Sequence, residues 1–288
     1  SYLGGAGDDY LNRIALARSG AAPCLLGRST SMNFPTVDPY QATLSRVSSD
    51  AVLLRLASSG SALLFSTYFG GMGSEEGAAL AVGTEGEIFL GGYTYSSDFP
   101  TLASWQSSLA GGSVDAFAAV FSSDNALSFS SYLGGTGDDI GYAAAIDSAG
   151  GWLLGGMTSS PDFPLLHPYQ SSHAGGEYDC FLSAIPPSGG SLVYSSYLGS
   201  SDNDQFRSAG FDPAGGAVLF GITIGSDFPT RNPYQPSMAG GQDAVVARRA
   251  WSAAFRAPSA RQARVRSRAP RNFITAPAPR MSSGPPGS

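Results

Sequence analysis

The chain has 288 residues, of which 38 are Gly and 19 are Pro, about a fifth of the total and well above average usage. That density excludes a helical bundle or coiled coil, and the lack of a strict Gly period of three excludes collagen. The formal charge of −6 joins two unlike parts: residues 1–247 hold 7 Arg against 22 acids, and residues 248–288 hold 9 Arg and no acid. With 42% hydrophobic residues the chain can bury a core, and no stretch approaches 18 uninterrupted apolar residues, so no membrane span is expected.

Four markers recur along the chain with one period and one phase. Tyr-(Leu/Phe)-Gly-(Gly/Ser) begins at Tyr2, Tyr68, Tyr132 and Tyr197. Phe-Pro begins at Phe34, Phe99, Phe163 and Phe228, in steps of 65, 64 and 65 residues. An aromatic followed by Gln occurs at Tyr40, Trp105, Tyr169 and Tyr234. An Asp opens an apolar run at Asp50, Asp115, Asp179 and Asp243. The chain therefore divides into units of about 65 residues, at 1–66, 67–131, 132–196 and 197–247.

Each unit predicts four short strands, a to d. In the third unit they fall near Tyr142–Asp147, Trp152–Thr158, Asp179–Ile185 and Leu192–Leu198, with Gly- and Pro-rich turns between them. Four strands per repeat predict an all-β fold, a β-propeller of four four-stranded blades. The Ala-rich a strands, such as Ala78–Val82, suit the crowded innermost position. The chain opens on a d strand at Ser1–Gly5 and its repeat ends on a c strand. Two arrangements stay open: the first strand closes the last blade, or the chain is a fragment of a larger propeller.

The d–a connections carry acids at matched positions, Asp9, Glu75, Asp139 and Asp204. Beside the innermost strands they would ring the mouth of a central channel and hold Ca²⁺ or another cation on the axis. The alternative is turn chemistry, with each acid accepting backbone N–H bonds inside its own Gly-rich loop. The b–c connections are long, 19 residues from Ser31 to Ser49 in the first unit. They carry Tyr40, Trp105, Tyr169 and Tyr234, each beside a Gln, a pairing suited to a sugar ring or a peptide. Recurrence in every unit favours a structural role for these pairs, and for the Asp opening each c strand.

Enzyme signals are sparse. His167 and His173 lie six apart in one loop, with no His-Glu-x-x-His pattern, nucleophile elbow, P-loop or dinucleotide fingerprint. Cys24 and Cys180 sit in different units and are expected to be buried free thiols. After Ala247 the repeat stops, and the basic 248–288 segment is expected to be disordered or unrelated to the repeats. A basic arm, or a segment docking on the acidic body, is the other reading.

The runs Tyr132-Leu133-Gly134-Gly135-Thr136-Gly137-Asp138-Asp139, Ile146-Asp147-Ser148-Ala149-Gly150 and Ser160-Pro161-Asp162-Phe163-Pro164 together resemble the bacterial SBBP β-propeller repeat family. The resemblance spans about residues 1–247. It departs at Ala17-Arg18-Ser19-Gly20 and at Ser200-Ser201-Asp202-Asn203. It implies a propeller in a secreted or bacterial cell-surface protein, without enzymatic activity. The expected function is a non-enzymatic scaffold or ligand-binding module, with the d–a acidic and b–c aromatic loops on one face. Its partners would be carbohydrate or protein, and nucleic acid is disfavoured. A polysaccharide-active hydrolase or lyase with its site at the channel mouth is the alternative.

Overall fold

A computed structural model describes residues 2–16, 22–46 and 48–250, and they hold fifteen strands and no helix. The first sheet is β1 (Asp9–Ala15), β2 (Cys24–Ser29), β3 (Asp50–Leu56) and β4 (Leu63–Phe69). The second is β5 (Glu75–Val82), β6 (Ile88–Thr94), β7 (Asp115–Phe121) and β8 (Leu127–Leu133). The third is β9 (Asp139–Ile146), β10 (Trp152–Thr158), β11 (Asp179–Ile185) and β12 (Tyr194–Leu198). The fourth is β13 (Asp204–Phe211), β14 (Ala217–Thr223) and β15 (Asp243–Arg249). In each sheet sequence order is spatial order and neighbouring strands are antiparallel.

The core lies between the sheets. β7 and β11 are buried at all seven positions, as strands covered on both faces must be. Phe69 of β4 packs edge-on against Phe99 and Phe117 of the second sheet, at 4.9 and 6.1 Å between ring centres. Phe89 stacks on Trp152 of the third sheet at 5.2 Å. Small residues on the a strands make these approaches possible: Ala78, Ala79, Ala143 and Ala145 are buried. A Cβ on Gly91 would lie 2.6 Å from Leu154 Cδ1 of the neighbouring sheet.

Every a–b hairpin has a bulge at one point: register shifts after Leu11, Gly77, Gly141 and Phe206. The opposing b-strand residue is always Gly, at Gly27, Gly92, Gly156 and Gly221. At Gly156 a Cβ would collide with the Ile140 carbonyl, so no larger residue fits opposite the bulge. Phe-Pro is fixed the same way each time. Tyr132 Oη accepts from Phe99 N at 2.9 Å and donates to Ser96 O at 2.7 Å. Tyr197 does so with Phe163 N and Ser160 O, and Tyr68 with Phe34 N and Ser31 O.

Two sequence expectations change. Residues 2–5 form no strand, Tyr2 is fully exposed, and among the described residues the fourth sheet has three strands, so the N-terminal segment does not close the array. The amides of Gly5, Ala6, Gly7 and Asp8 are bound to Asp9, Asn33, Ser31 and Thr30, as those of Gly135, Thr136, Gly137 and Asp138 are bound to Asp139, Asp162, Ser160 and Ser159. The four matched acids, expected in loops, are the first residues of β1, β5, β9 and β13. Cys24 and Cys180 are buried and free. The basic segment of 248–288 lies outside the described residues from 251 onward.

Candidate functional site

The repeated acids act as loop anchors. Asp139 Oδ2 accepts from Gly135 N at 2.8 Å and from Ser160 Oγ at 2.8 Å. Glu75 accepts from Gly71 N at 3.0 Å and from the hydroxyls of Thr94 and Ser96 at 2.6 and 2.5 Å. Asp204 takes Ser200 N and its hydroxyl at 2.5 and 2.7 Å, and Asp9 takes Gly5 N at 2.7 Å. Among the described residues no three His, Cys, Asp or Glu side chains converge to hold a metal, so the expected four-carboxylate ring for Ca²⁺ does not form. Each acid sits at the first position of its own a strand and faces backbone amide and hydroxyl donors.

The second half of each joint is the c-strand Asp. Asp50, Asp115 and Asp179 are fully buried; Oδ2 accepts from Gln41, Gln106 and Gln170 Nε2 at 2.6, 2.8 and 3.1 Å. The same glutamines accept through Oε1 from Gly70, Gly134 and Gly199 N at 3.0–3.1 Å. The Gln of each aromatic–Gln pair is therefore a clamp between c strand and d–a loop. Asp115 Oδ1 has no partner and lies near Asp139 across Gly134. Burial, and then the neighbouring carboxylate, pushes Asp139 and Glu75 up to about 7; Asp115 and Asp179 rise to about 6, and Asp50 and Asp204 also rise.

A Cβ on Gly134 would lie 2.5 Å from Asp139 Oδ2 and 2.7 Å from Asp115 Cγ. Gly134→Ala should therefore lower stability by about 1–3 kcal/mol, read from the denaturant midpoint. A midpoint matching the parent protein would show that the paired carboxylates have room to separate.

The four aromatics do not form one patch. Trp105 packs on Phe129 at 4.8 Å, and Tyr40 packs edge-on against Phe69 and Phe121 at 5.9 and 6.0 Å. Tyr169 and Tyr234 stand exposed. The d–a and b–c loops do share one face: Met72 N bonds Asp98 Oδ1, and Thr136 N bonds Asp162 Oδ1. That Asn/Asp position, Asn33, Asp98, Asp162 and Asp227, is a further marker of the same period, hidden in the sequence because it sits within the Phe-Pro turn. His173 packs against Tyr197 rather than beside Asp139.

A different group breaks the repeat. On the a and b strands, Glu76 accepts from Asn12 Nδ2 at 2.8 Å and from Tyr93 Oη at 2.9 Å, and Arg28 Nε lies 3.5 Å from it. Arg28 also covers the Tyr10 ring at 4.9 Å, while Arg207 covers Tyr142 at 4.5 Å. Arg13 of the first sheet reaches the Tyr142 carbonyl of the third at 3.4 Å, so the a strands draw together here. Glu76 stands where the other units have Tyr10, Ile140 and Gln205, and Tyr93 stands where they have Arg28, Met157 and Ile222, so the residue type changes from unit to unit. Tyr10 and Tyr95 are both 48% exposed beside this cluster, a pair of aromatic faces among charged groups. No single-residue motif announces it, because its members come from four strands of the first two sheets and two of the third and fourth.

No helix among the described residues is long and apolar enough to cross a membrane. Comparison with known proteins gives no matching family model and no significantly similar curated protein.

Proposed function

We propose that the chain is a propeller-type, non-enzymatic binding module of the SBBP repeat kind, secreted or displayed on a bacterial surface. The four sheets would be successive blades, and the inner a strands would present the ligand site. The supporting observation is the non-repeated cluster of Tyr10, Arg28, Glu76, Tyr93, Tyr95 and Tyr142. The repeated loop groups are spent on holding the loops to one another, whereas this cluster mixes exposed aromatic faces with charged and amide groups. Such a mixture suits a carbohydrate, whose ring stacks on an aromatic and whose hydroxyls pair with Arg, Glu and Asn. A polysaccharide hydrolase would set a second carboxylate opposite the first. The groups around Glu76 are Arg28, Asn12 and Tyr93, which favour binding over bond cleavage.

A glycan array tests this. The protein should bind a restricted set of glycans, and Tyr95→Ala or Glu76→Gln should weaken that binding by about tenfold or more. Absence of any bound glycan would overturn the carbohydrate assignment, and release of reducing sugar from a bound polysaccharide would replace it with the hydrolase.

A further inference from the structure

The bulge on each a strand leaves one residue without a ladder partner, at Asn12, Ala78, Tyr142 and Arg207. A bulge re-aims the side chain it carries. The backbone feature is common to all four sheets, whereas the side chain it presents differs in each. Groups at these positions link sheet to sheet. Asn12 Nδ2 donates to Glu76 Oε1 of the second sheet at 2.8 Å. Arg13, next to Asn12, donates to the Tyr142 carbonyl of the third sheet at 3.4 Å. Arg207 of the fourth sheet lies over the Tyr142 ring at 4.5 Å. Burial pushes the Tyr142 hydroxyl up, Arg207 pulls it down, and Glu76 and Tyr95 add to the rise, so all three side chains stand around it. The repeated bulge is therefore a mount that turns variable side chains toward a shared point.

That point gathers positive charge on an acidic protein. Residues 1–247 hold 7 Arg against 22 acids, and three of those Arg are Arg13, Arg28 and Arg207. Two of the three are already engaged: Arg13 donates to the carbonyls of Asn12 and Tyr142, and Arg28 faces Glu76. Arg207 is exposed, and among the described residues it forms no ion pair. A guanidinium carries more N–H donors than one tyrosine can accept, and the ring beneath it holds it in place, so little freedom is lost when an anion docks.

We propose that Arg207 seats the carboxylate of an acidic sugar, and that this site takes a polysaccharide containing uronic acid. The inference rests on the carbohydrate-binding reading above and narrows it. The sugar ring stacks on Tyr95, which is 48% exposed, its hydroxyls pair with Glu76 and Asn12, and its carboxylate takes two parallel N–H donors from Arg207. Tyr95 and Arg207 both act on the Tyr142 hydroxyl, so they stand within the span of a short oligosaccharide. A planar carboxylate matches one guanidinium fork, whereas a sulfate or phosphate ester spreads its charge over more oxygens and calls for a second unengaged cation. The surrounding acids disfavour a polyanion held by diffuse charge, which leaves binding to this one spot.

The full chain is titrated by calorimetry with oligomers of galacturonate, glucuronate and mannuronate, with the same oligomers reduced at the carboxyl to neutral sugars, and with sulfated galactose oligomers. At least one uronate should bind about tenfold more tightly than its reduced form. Arg207→Gln should bring that ratio down to about one. Arg46→Gln, which removes the same charge from an exposed loop, should leave the ratio unchanged. Arg207 is exposed, so its replacement should keep the denaturant midpoint of the parent. Tyr95→Ala should weaken acidic and reduced forms alike. Equal affinity for both forms, or binding of neutral array glycans alone, overturns the acidic assignment and leaves the carbohydrate reading standing; a blank glycan array overturns both. A uronate preference that survives Arg207→Gln, or that falls equally with Arg46→Gln, also overturns it, and so does tighter binding of the sulfated oligomers.

Discussion

Phe163→Ala should lower the stability of the protein by about 3–5 kcal/mol, measured as a fall in the denaturant midpoint. Phe163 is 2% exposed and lies 4.6 Å from Phe181 and 6.1 Å from Tyr197, ring centre to ring centre. Truncation leaves a cavity bounded by two other aromatic side chains and by β11, and none of these can move in to fill it. The backbone beside it is also committed, because Phe163 N donates to Tyr197 Oη at 3.0 Å and that hydroxyl donates to Ser160 O at 2.6 Å. Phe228→Ala is the internal control. Phe228 is half-buried and among the described residues its sheet has three strands, so the same truncation should cost well under half as much. Equal losses at the two positions, or no loss at Phe163, would show that Phe-Pro does not anchor the sheets through the d-strand Tyr.

That contrast also marks what the sequence carries. Asp50, Asp115, Asp179 and Asp243 are legible as the first residues of c strands, because an Asp before an apolar run has one natural place, and all four open their strands. The fixed phase of Phe-Pro and Tyr is legible too, although the hydrogen bonds joining them cross more than thirty residues and only the fold reveals them. The a-strand acids look like loop residues because Gly-Asp-Asp carries a turn signal. Ladder pairing of Asp139 with Thr158 and of Glu75 with Thr94 draws the strand back to the acid itself. The Glu76 cluster is invisible in the sequence for a different reason. Periodicity singles out what repeats, and this cluster is made of residues at which the units differ.

Stability should fall as pH rises from about 4 to about 7, then level off, because of the buried carboxylate pairs. Glu75 and Asp139 titrate near 7 in the folded protein, and Asp115 and Asp179 near 6, against ordinary values near 4 in the unfolded chain. Between those values the folded state binds more protons than the unfolded one, so each pH step favours unfolding. The stabilisation is complete below about pH 4 and lost as pH passes through 7. Each tenfold difference in proton affinity between folded and unfolded chain is worth about 1.4 kcal/mol, so the four groups together contribute several kcal/mol. Asp115→Asn separates the cause from other titrations. Its remaining carbonyl oxygen keeps the donors Gln106 Nε2 and Ala110 N, now at 2.8 and 2.9 Å from Oδ2. Its new amide then replaces the unpartnered Oδ1 that faces Asp139 across Gly134. A hydrogen-bond donor thereby stands where a like charge stood, so Asp115→Asn should be more stable than the parent at pH 8 and show a shallower pH slope. A slope unchanged by this substitution would mean that Asp115 does not titrate above its ordinary value in the folded protein and adds nothing to the titration of Asp139.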